Sequence, residues 1–202
     1  MDGVALSGSK PHLLEYIRSL QHYLIPGTET SYWMRNLHNI HSLKLGNATI
    51  VHISKEEFHT RYSAFRETLL NLNLQSFVTS FSAFVTLVDY FPNLTTLRLG
   101  SFTVKPDEEP VPTLSRPLRG RIHLNCTSRN CAEFFDRLAK LDPGYEELEL
   151  DSESRVETKL VESVLRLCAR TVKYLRLTAR FEREHPYDTS SSLDTLTKIP
   201  AF

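Results

Sequence analysis

Leu94-Thr95-Thr96-Leu97-Arg98-Leu99 places an apolar residue three positions before a leucine and a second leucine two positions after it. Side chains alternate along an extended strand, so Leu97 and Leu99 look to one side while Thr96 and Arg98 look to the other. The same frame returns over residues 40–45, 69–74, 145–150 and 172–177. Residues 119–124 keep it without the first apolar residue, and residues 17–22 without the last leucine. The central residue falls at positions 20, 43, 72, 97, 122, 148 and 175, which gives spacings of 23, 29, 25, 25, 26 and 27. One six-residue match is weak evidence; seven in near-register are strong, and the spacing is largely that of leucine-rich repeats, about 20–29 residues. A lone strand of this kind has nothing against which to bury its leucines. Stacked copies do, provided each is closed by a return segment over the same core. The expected fold is therefore α/β: a leucine-rich-repeat-like right-handed solenoid, with one parallel sheet of about six to seven strands backed by helices.

The segments between copies read as those returns. Phe81, Phe84, Val88 and Phe91 share a helical face that stops at Pro92. Phe134, Leu138 and Leu141 do the same ahead of Asp142-Pro143-Gly144, and Leu160, Val164 and Leu167 line a third helix. Ser54 with Glu57, and Ser154 with Glu157, have capping-box spacing; Asn130 with Glu133 is a looser version. A fourth helix is expected over residues 55–64 and a short one around 32–37. Residues 101–118 carry Pro106, Pro110, Pro112 and Pro117 and are expected to form an exposed irregular loop. The expected organisation is an N-terminal tail (1–10), one repeat domain (11–180) and a mobile polar C-terminal tail (181–202), with a weak helix near 193–199.

The chain has 202 residues with 24 Lys+Arg and 24 Asp+Glu, a balance that argues against a basic nucleic-acid footprint. No run approaches the ~18 apolar residues of a membrane span, so no membrane association is expected. The opening Met1-Asp2-Gly3-Val4-Ala5-Leu6 lacks the basic and apolar regions of a secretory signal. Cys126, Cys131 and Cys168 are too few for a disulfide framework. An intracellular setting, cytoplasmic or nuclear, is expected. The sequons at Asn47, Asn93 and Asn125 are then read as coincidental.

Lys10-Pro11-His12-Leu13-Leu14-Glu15-Tyr16-Ile17-Arg18-Ser19-Leu20, Phe91-Pro92-Asn93-Leu94-Thr95-Thr96-Leu97 and Leu118-Arg119-Gly120-Arg121-Ile122-His123-Leu124 resemble the repeat region of fungal F-box proteins with degenerate leucine-rich repeats. Residues 134–141, Glu147-Leu148-Glu149-Leu150 and the run from Leu167 to Leu175 continue the resemblance, which covers roughly residues 10–180. It implies a substrate-recognition region of a ubiquitin-ligase receptor. The family's amino-terminal F-box docks onto a Skp1-type adaptor. The ten residues ahead of Pro11 are too few to form that module, so adaptor docking is not expected of this chain. The asparagine of the usual Leu-x-x-Leu-x-Leu-x-x-Asn-x-Leu repeat is also replaced, by Ala48, Phe77 and Phe102. An irregular stack without a continuous asparagine ladder is the consequence.

Function should then lie on the residues between the paired leucines. One column reads Gln21, Lys44, Asn73, Arg98, His123, Glu149 and Arg176; its neighbour reads Ser19, Ser42, Asn71, Thr96, Arg121, Glu147 and Tyr174. A polar column is what any solvated sheet face shows. The charge step from Arg98, Arg121 and His123 to Glu147, Glu149 and Asp151 is more specific. Those charges either pair across strands or orient a charged partner, and sequence leaves both open. The candidate protein-binding face is Lys44, Asn73, Arg98, Arg121, His123, Glu147, Glu149, Tyr174 and Arg176. His38, His41, His52 and His59 do not suggest convergent zinc ligands, so no metal or other cofactor is expected. The chain has no G-x-S-x-G, G-x-x-x-x-G-K-[ST] or G-x-G-x-x-G motif, and only seven glycines. Glu146 and Glu147 are adjacent on a strand and point to opposite faces, so they are not an acid/base pair. A non-catalytic module that binds another protein is the expectation; the alternative is a truncated structural remnant with no independent activity.

Overall fold

The computed structural model describes residues 15–23, 32–47, 49–50, 55–107, 110–125, 131–156 and 158–181. In chain order its elements are β1 (Ser19–Tyr23), β2 (Ser42–Gly46), β3 (Thr49–Ile50), α1 (Lys55–Tyr62), β4 (Asn71–Gln75), β5 (Phe77–Ser80), α2 (Phe81–Tyr90), β6 (Thr96–Leu99), β7 (Phe102–Lys105), β8 (Arg119–Asn125), α3 (Cys131–Ala139), β9 (Gly144–Val156), α4 (Thr158–Arg166) and β10 (Tyr174–Phe181). Short 3-10 turns occupy Tyr32–Asn36 and Ser63–Phe65. The protein is α/β. Seven strands form one parallel sheet in the order β1-β2-β4-β6-β8-β9-β10, and β3-β5-β7 form a second, three-stranded parallel sheet.

The register follows the repeated frame. Leu20, Leu43, Leu72, Leu97, Ile122, Leu148 and Leu175 pair strand to strand in one row. His22, Leu45, Leu74, Leu99, Leu124, Leu150 and Leu177 form the next. The interior members of both rows are buried in a single core cluster, while Leu20, Leu175 and Leu177 on the outermost strands are only partly buried. Each interior leucine contributes about 1.5–3 kcal/mol through removal from water.

Two recurring devices lock neighbouring copies. The residue four positions before the central leucine is Asn39, Thr68, Asn93 or Thr171 in four copies. Asn39 Nδ2 donates to the Glu15 carbonyl (3.0 Å), Asn93 Nδ2 to that of Glu67 (2.7 Å), Thr68 Oγ1 to that of Ile40 (2.9 Å) and Thr171 Oγ1 to that of Tyr145 (2.6 Å). The carbonyl two positions before the central leucine accepts two backbone N–H groups from the next copy. Arg18 O serves His41 and Ser42, His41 O serves Leu70 and Asn71, and Leu70 O serves Thr95 and Thr96, all at 2.8–3.0 Å. Buried backbone groups are thereby satisfied where the strands begin.

At the other end of the strands the chain turns a corner. Asn47 (φ 53°) and Ser76 (φ 50°) adopt the left-handed conformation that carries β2 into β3 and β4 into β5. Just beyond, Phe77 pairs with Phe102 and their rings stack at 5.0 Å. An aromatic stack thus stands at two positions where the usual repeat has asparagine; Ala48 lies outside the described residues.

The helical faces expected from sequence turn to the core: Phe81, Phe84, Val88 and Phe91 in and just after α2, Phe134 and Leu138 in α3, and Leu160, Val164 and Leu167 in and just after α4 are buried, while Leu141 is partly buried. Helix α2 begins at Ser80, whose hydroxyl accepts from Ala83 N (3.2 Å). It ends at Phe91, which Pro92 forces into extended backbone.

Two expectations need correction. Ser154 is a residue of β9 and does not cap α4, because that strand runs on to Val156 beside β10. The stretch 101–118 is not one exposed loop. Its alternating Phe102-Thr103-Val104-Lys105 forms β7 with Phe102 buried. Beyond it Pro106, Pro110, Val111, Thr113 and Pro117 are exposed outside helix and strand, as expected, but three side chains anchor the segment: Asp107 accepts from Ser82 N (2.7 Å) and pairs with Arg137, Asp89 accepts from Ser115 N (2.8 Å) and Oγ (2.7 Å), and Arg116 donates to the Phe91 carbonyl. The expected tails over 1–10 and beyond Phe181, the helix near 193–199, and the caps at Ser54 and Asn130 lie outside the described residues.

The copy that lacks its first apolar residue is repaired locally. The β8–β9 register shifts between Gly120 and Arg121, and Leu118, buried, takes the place that Arg119 leaves empty. The shift requires Gly120 at φ +89°, where an added Cβ would sit 2.1 Å from the Thr95 carbonyl oxygen.

Candidate protein-binding face

All nine residues of the candidate face lie in two adjacent rows of the seven-stranded sheet. Lys44, Asn73, Arg98, His123, Glu149 and Arg176 pair in register behind Gln21, and Arg121, Glu147 and Tyr174 pair in the row headed by Ser19, Ser42, Asn71 and Thr96. The backbone alternation that buries the leucines turns these side chains away from the core. Arg98, Arg121 and Arg176 are exposed and the other six are half-buried. Gln75, also exposed, extends the face into a third row; the alternation carried two residues beyond Asn73 finds it.

The charge step resolves into cross-strand pairs. Arg121 bonds Glu147, and His123 Nδ1 lies 3.1 Å from Glu149 Oε2. Lys173 Nζ meets Glu146 Oε2 at 2.8 Å where these strands begin. Such solvent-facing pairs are worth about 0–1 kcal/mol each. Arg121 and Lys173 thereby offset the charges of Glu147 and Glu146 at this end of the face.

The β2–β4–β6 part is different. Its outward rows read Ser42, Asn71, Thr96 and Lys44, Asn73, Arg98, with Gln75 beyond them, and hold no carboxylate. The acidic residues of these rows, Glu147, Glu149 and Asp151, all belong to β9. Among the described residues, neither Lys44 nor Arg98 has an ion-pair partner, nor does Arg176 on β10.

Other chemistry-bearing groups lie elsewhere. His41 Nδ1 contacts the Asn39 carbonyl at 2.8 Å and His59 Nδ1 the Tyr90 hydroxyl at 3.3 Å. Among the described residues no group of three or more His, Cys, Asp or Glu is placed to hold a metal ion. Cys131 and Cys168 are buried, and burial pushes the Cys168 thiol up to about 11. Cys126 and His52 lie outside the described residues. A cleft of about 380 Å³ opens between the C-terminal ends of α3 and α4, lined by Asp136, Lys140, Asp142, Arg166 and Arg170, away from the strand face. Among the described residues no helix is long and apolar enough to cross a membrane.

Compared with known proteins, the chain matches no family model, no curated protein and no solved structure.

Proposed function

We propose that the chain is a leucine-rich-repeat-like right-handed solenoid that binds another protein across the open face of its seven-stranded sheet. In this reading it is a non-catalytic, intracellular module. It resembles the substrate-recognition region of an F-box receptor, and docking to a Skp1-type adaptor forms no part of the reading. The observation that carries the proposal is the register. Seven parallel strands, joined by returns of similar length, set two polar rows side by side over the whole sheet, with Arg98, Arg121 and Arg176 exposed in them. A broad surface on a rigid scaffold is what repeat proteins use to hold a partner.

The test is site-specific photo-crosslinking in source-cell extract, with a benzophenone amino acid at Asn73 or, as control, at Lys140 on the α3 side. A discrete protein adduct from Asn73, absent from Lys140 and diminished by Arg98→Glu, supports the reading. Equal adducts from both positions, or none from Asn73, overturn it.

A further inference from the structure

We propose that the β2–β4–β6 part of the open face takes an extended acidic segment of the partner, running across the strands with two carboxylates three residues apart. This rests on the face being the binding surface, and it names the chemistry of what binds.

The argument starts from the uneven charge. Glu147 and Glu149 on β9 are already engaged by Arg121 and His123. Among the described residues Lys44 and Arg98 have no such partner, and the outward positions of β2, β4 and β6 hold no acidic side chain. These two cations sit in one row, with β4 between them. Neighbouring strands are ~4.8 Å apart, so two steps separate their Cα atoms by about 10 Å. An extended peptide advances ~3.3 Å per residue, so acidic residues at i and i+3 are also about 10 Å apart. Asn73 lies between the cations, and Asn71 is beside it in the next row. Their side-chain amides both donate and accept, which suits the backbone of a chain passing overhead.

The spacing also disfavours nucleic acid. Two free cations are few for a phosphate backbone, whose binding rests on many neutralised charges. The chain also carries no net charge.

The experiment uses the full chain, labelled with ¹⁵N, followed by amide chemical-shift changes, which detect millimolar binding. Three peptides in the same serine-threonine-glycine background are titrated: two glutamates at i and i+3, two adjacent glutamates, and two glutamines at i and i+3. The inference expects saturable shifts on β2, β4 and β6 with the first peptide, and affinity lower by about fivefold for the other two. Lys44→Gln and Arg98→Gln should each weaken the first peptide about fivefold, with the rest of the spectrum retained as the check on folding. Lys140→Gln, an exposed cation on the α3 side, should leave its affinity within about twofold, because it lies off the strand face. Absence of saturable shifts on these strands, equal affinity for all three peptides, insensitivity to both single variants, or tighter binding of an oligouridylate at the same amides overturns the inference. An Asn73 crosslink without the peptide effect refutes the acidic segment and leaves the binding face standing; loss of the crosslink refutes the face itself.

Discussion

Gly120→Ala is the perturbation that most directly probes the local repair in the β8 copy. The added methyl would lie 2.1 Å from the Thr95 carbonyl oxygen, and the backbone there sits at φ +89°. Holding an L-residue in left-handed space costs about 1–2 kcal/mol. Relieving the clash moves β8 away from β6, which weakens the 2.8 Å bond from Arg121 N to Thr95 O, worth about 0.5–1.5 kcal/mol. Displacing well-packed backbone adds about 1–3 kcal/mol. The lower entropy of the unfolded alanine chain returns roughly 0.4–1 kcal/mol. The net loss is about 1.5–6 kcal/mol, a large part of a typical domain's 5–15. Gly144→Ala is the matched control: it too begins a main-sheet strand, but its nearest neighbour would be the Leu118 carbonyl oxygen at 3.6 Å. That variant should fall within about 1 kcal/mol of the parent. Urea unfolding followed by circular dichroism reads both, with the slope of free energy against urea checked for constancy. If Gly120→Ala lowers the midpoint no more than Gly144→Ala does, the close approach of β8 to Thr95 is wrong, and the bulge assigned there goes with it.

Leu99→Ala should cost about 2–5 kcal/mol in the same assay as a buried-leucine truncation, whereas Asn73→Ala, pointing the other way one strand over, should stay within about 0.5 kcal/mol. Equal losses would mean that the frame is displaced by one residue. Asp107→Asn should cost about 1.5–3 kcal/mol at neutral pH, since it removes the charge that meets Arg137 and Ser82 N. Burial by itself would raise the Asp107 carboxyl, but the Ser82 and Arg137 hydrogen bonds overcome it and hold the group below its ordinary value. A depressed carboxyl contributes stability above the unfolded value, near 3.9, and loses it as pH falls through the lower folded value. The parent and Asp107→Asn should therefore converge in stability below about pH 4; a gap that persists at pH 2 would rule out the charge as its cause.

The paired leucines made the sheet legible because their alternation is enforced by burial at both positions: Leu97 and Leu99 can be moved to the other face only by exposing both. The same logic puts Lys44, Asn73 and Arg98 in one row, since register carries side chains along with it. What stayed hidden was set by partners distant in sequence. β7 was obscured by the four prolines around it, because its evidence is the ring of Phe77, 25 residues upstream in the matching place of the previous copy. The role of Asp107 depends on Ser82 and Arg137, which belong to two different helices. The bulge beside Gly120 replaced Arg119 by Leu118, a one-residue slip that a fixed frame cannot express.

The candidate face divides along the same line. Alternation tells which side chains look outward, but whether a charge on that face is spent or available depends on its neighbour one strand away. Arg121 and Arg98 occupy adjacent strands and read alike in sequence. Arg121 is opposite Glu147, whereas Arg98 is flanked by Asn73 and His123, and His123 itself turns to Glu149. Removing Arg98 should therefore disturb recognition while leaving the sheet intact, and removing Arg121 should expose Glu147 and alter the face without emptying a binding position. The two arginines thus separate what holds the surface together from what it has left to offer.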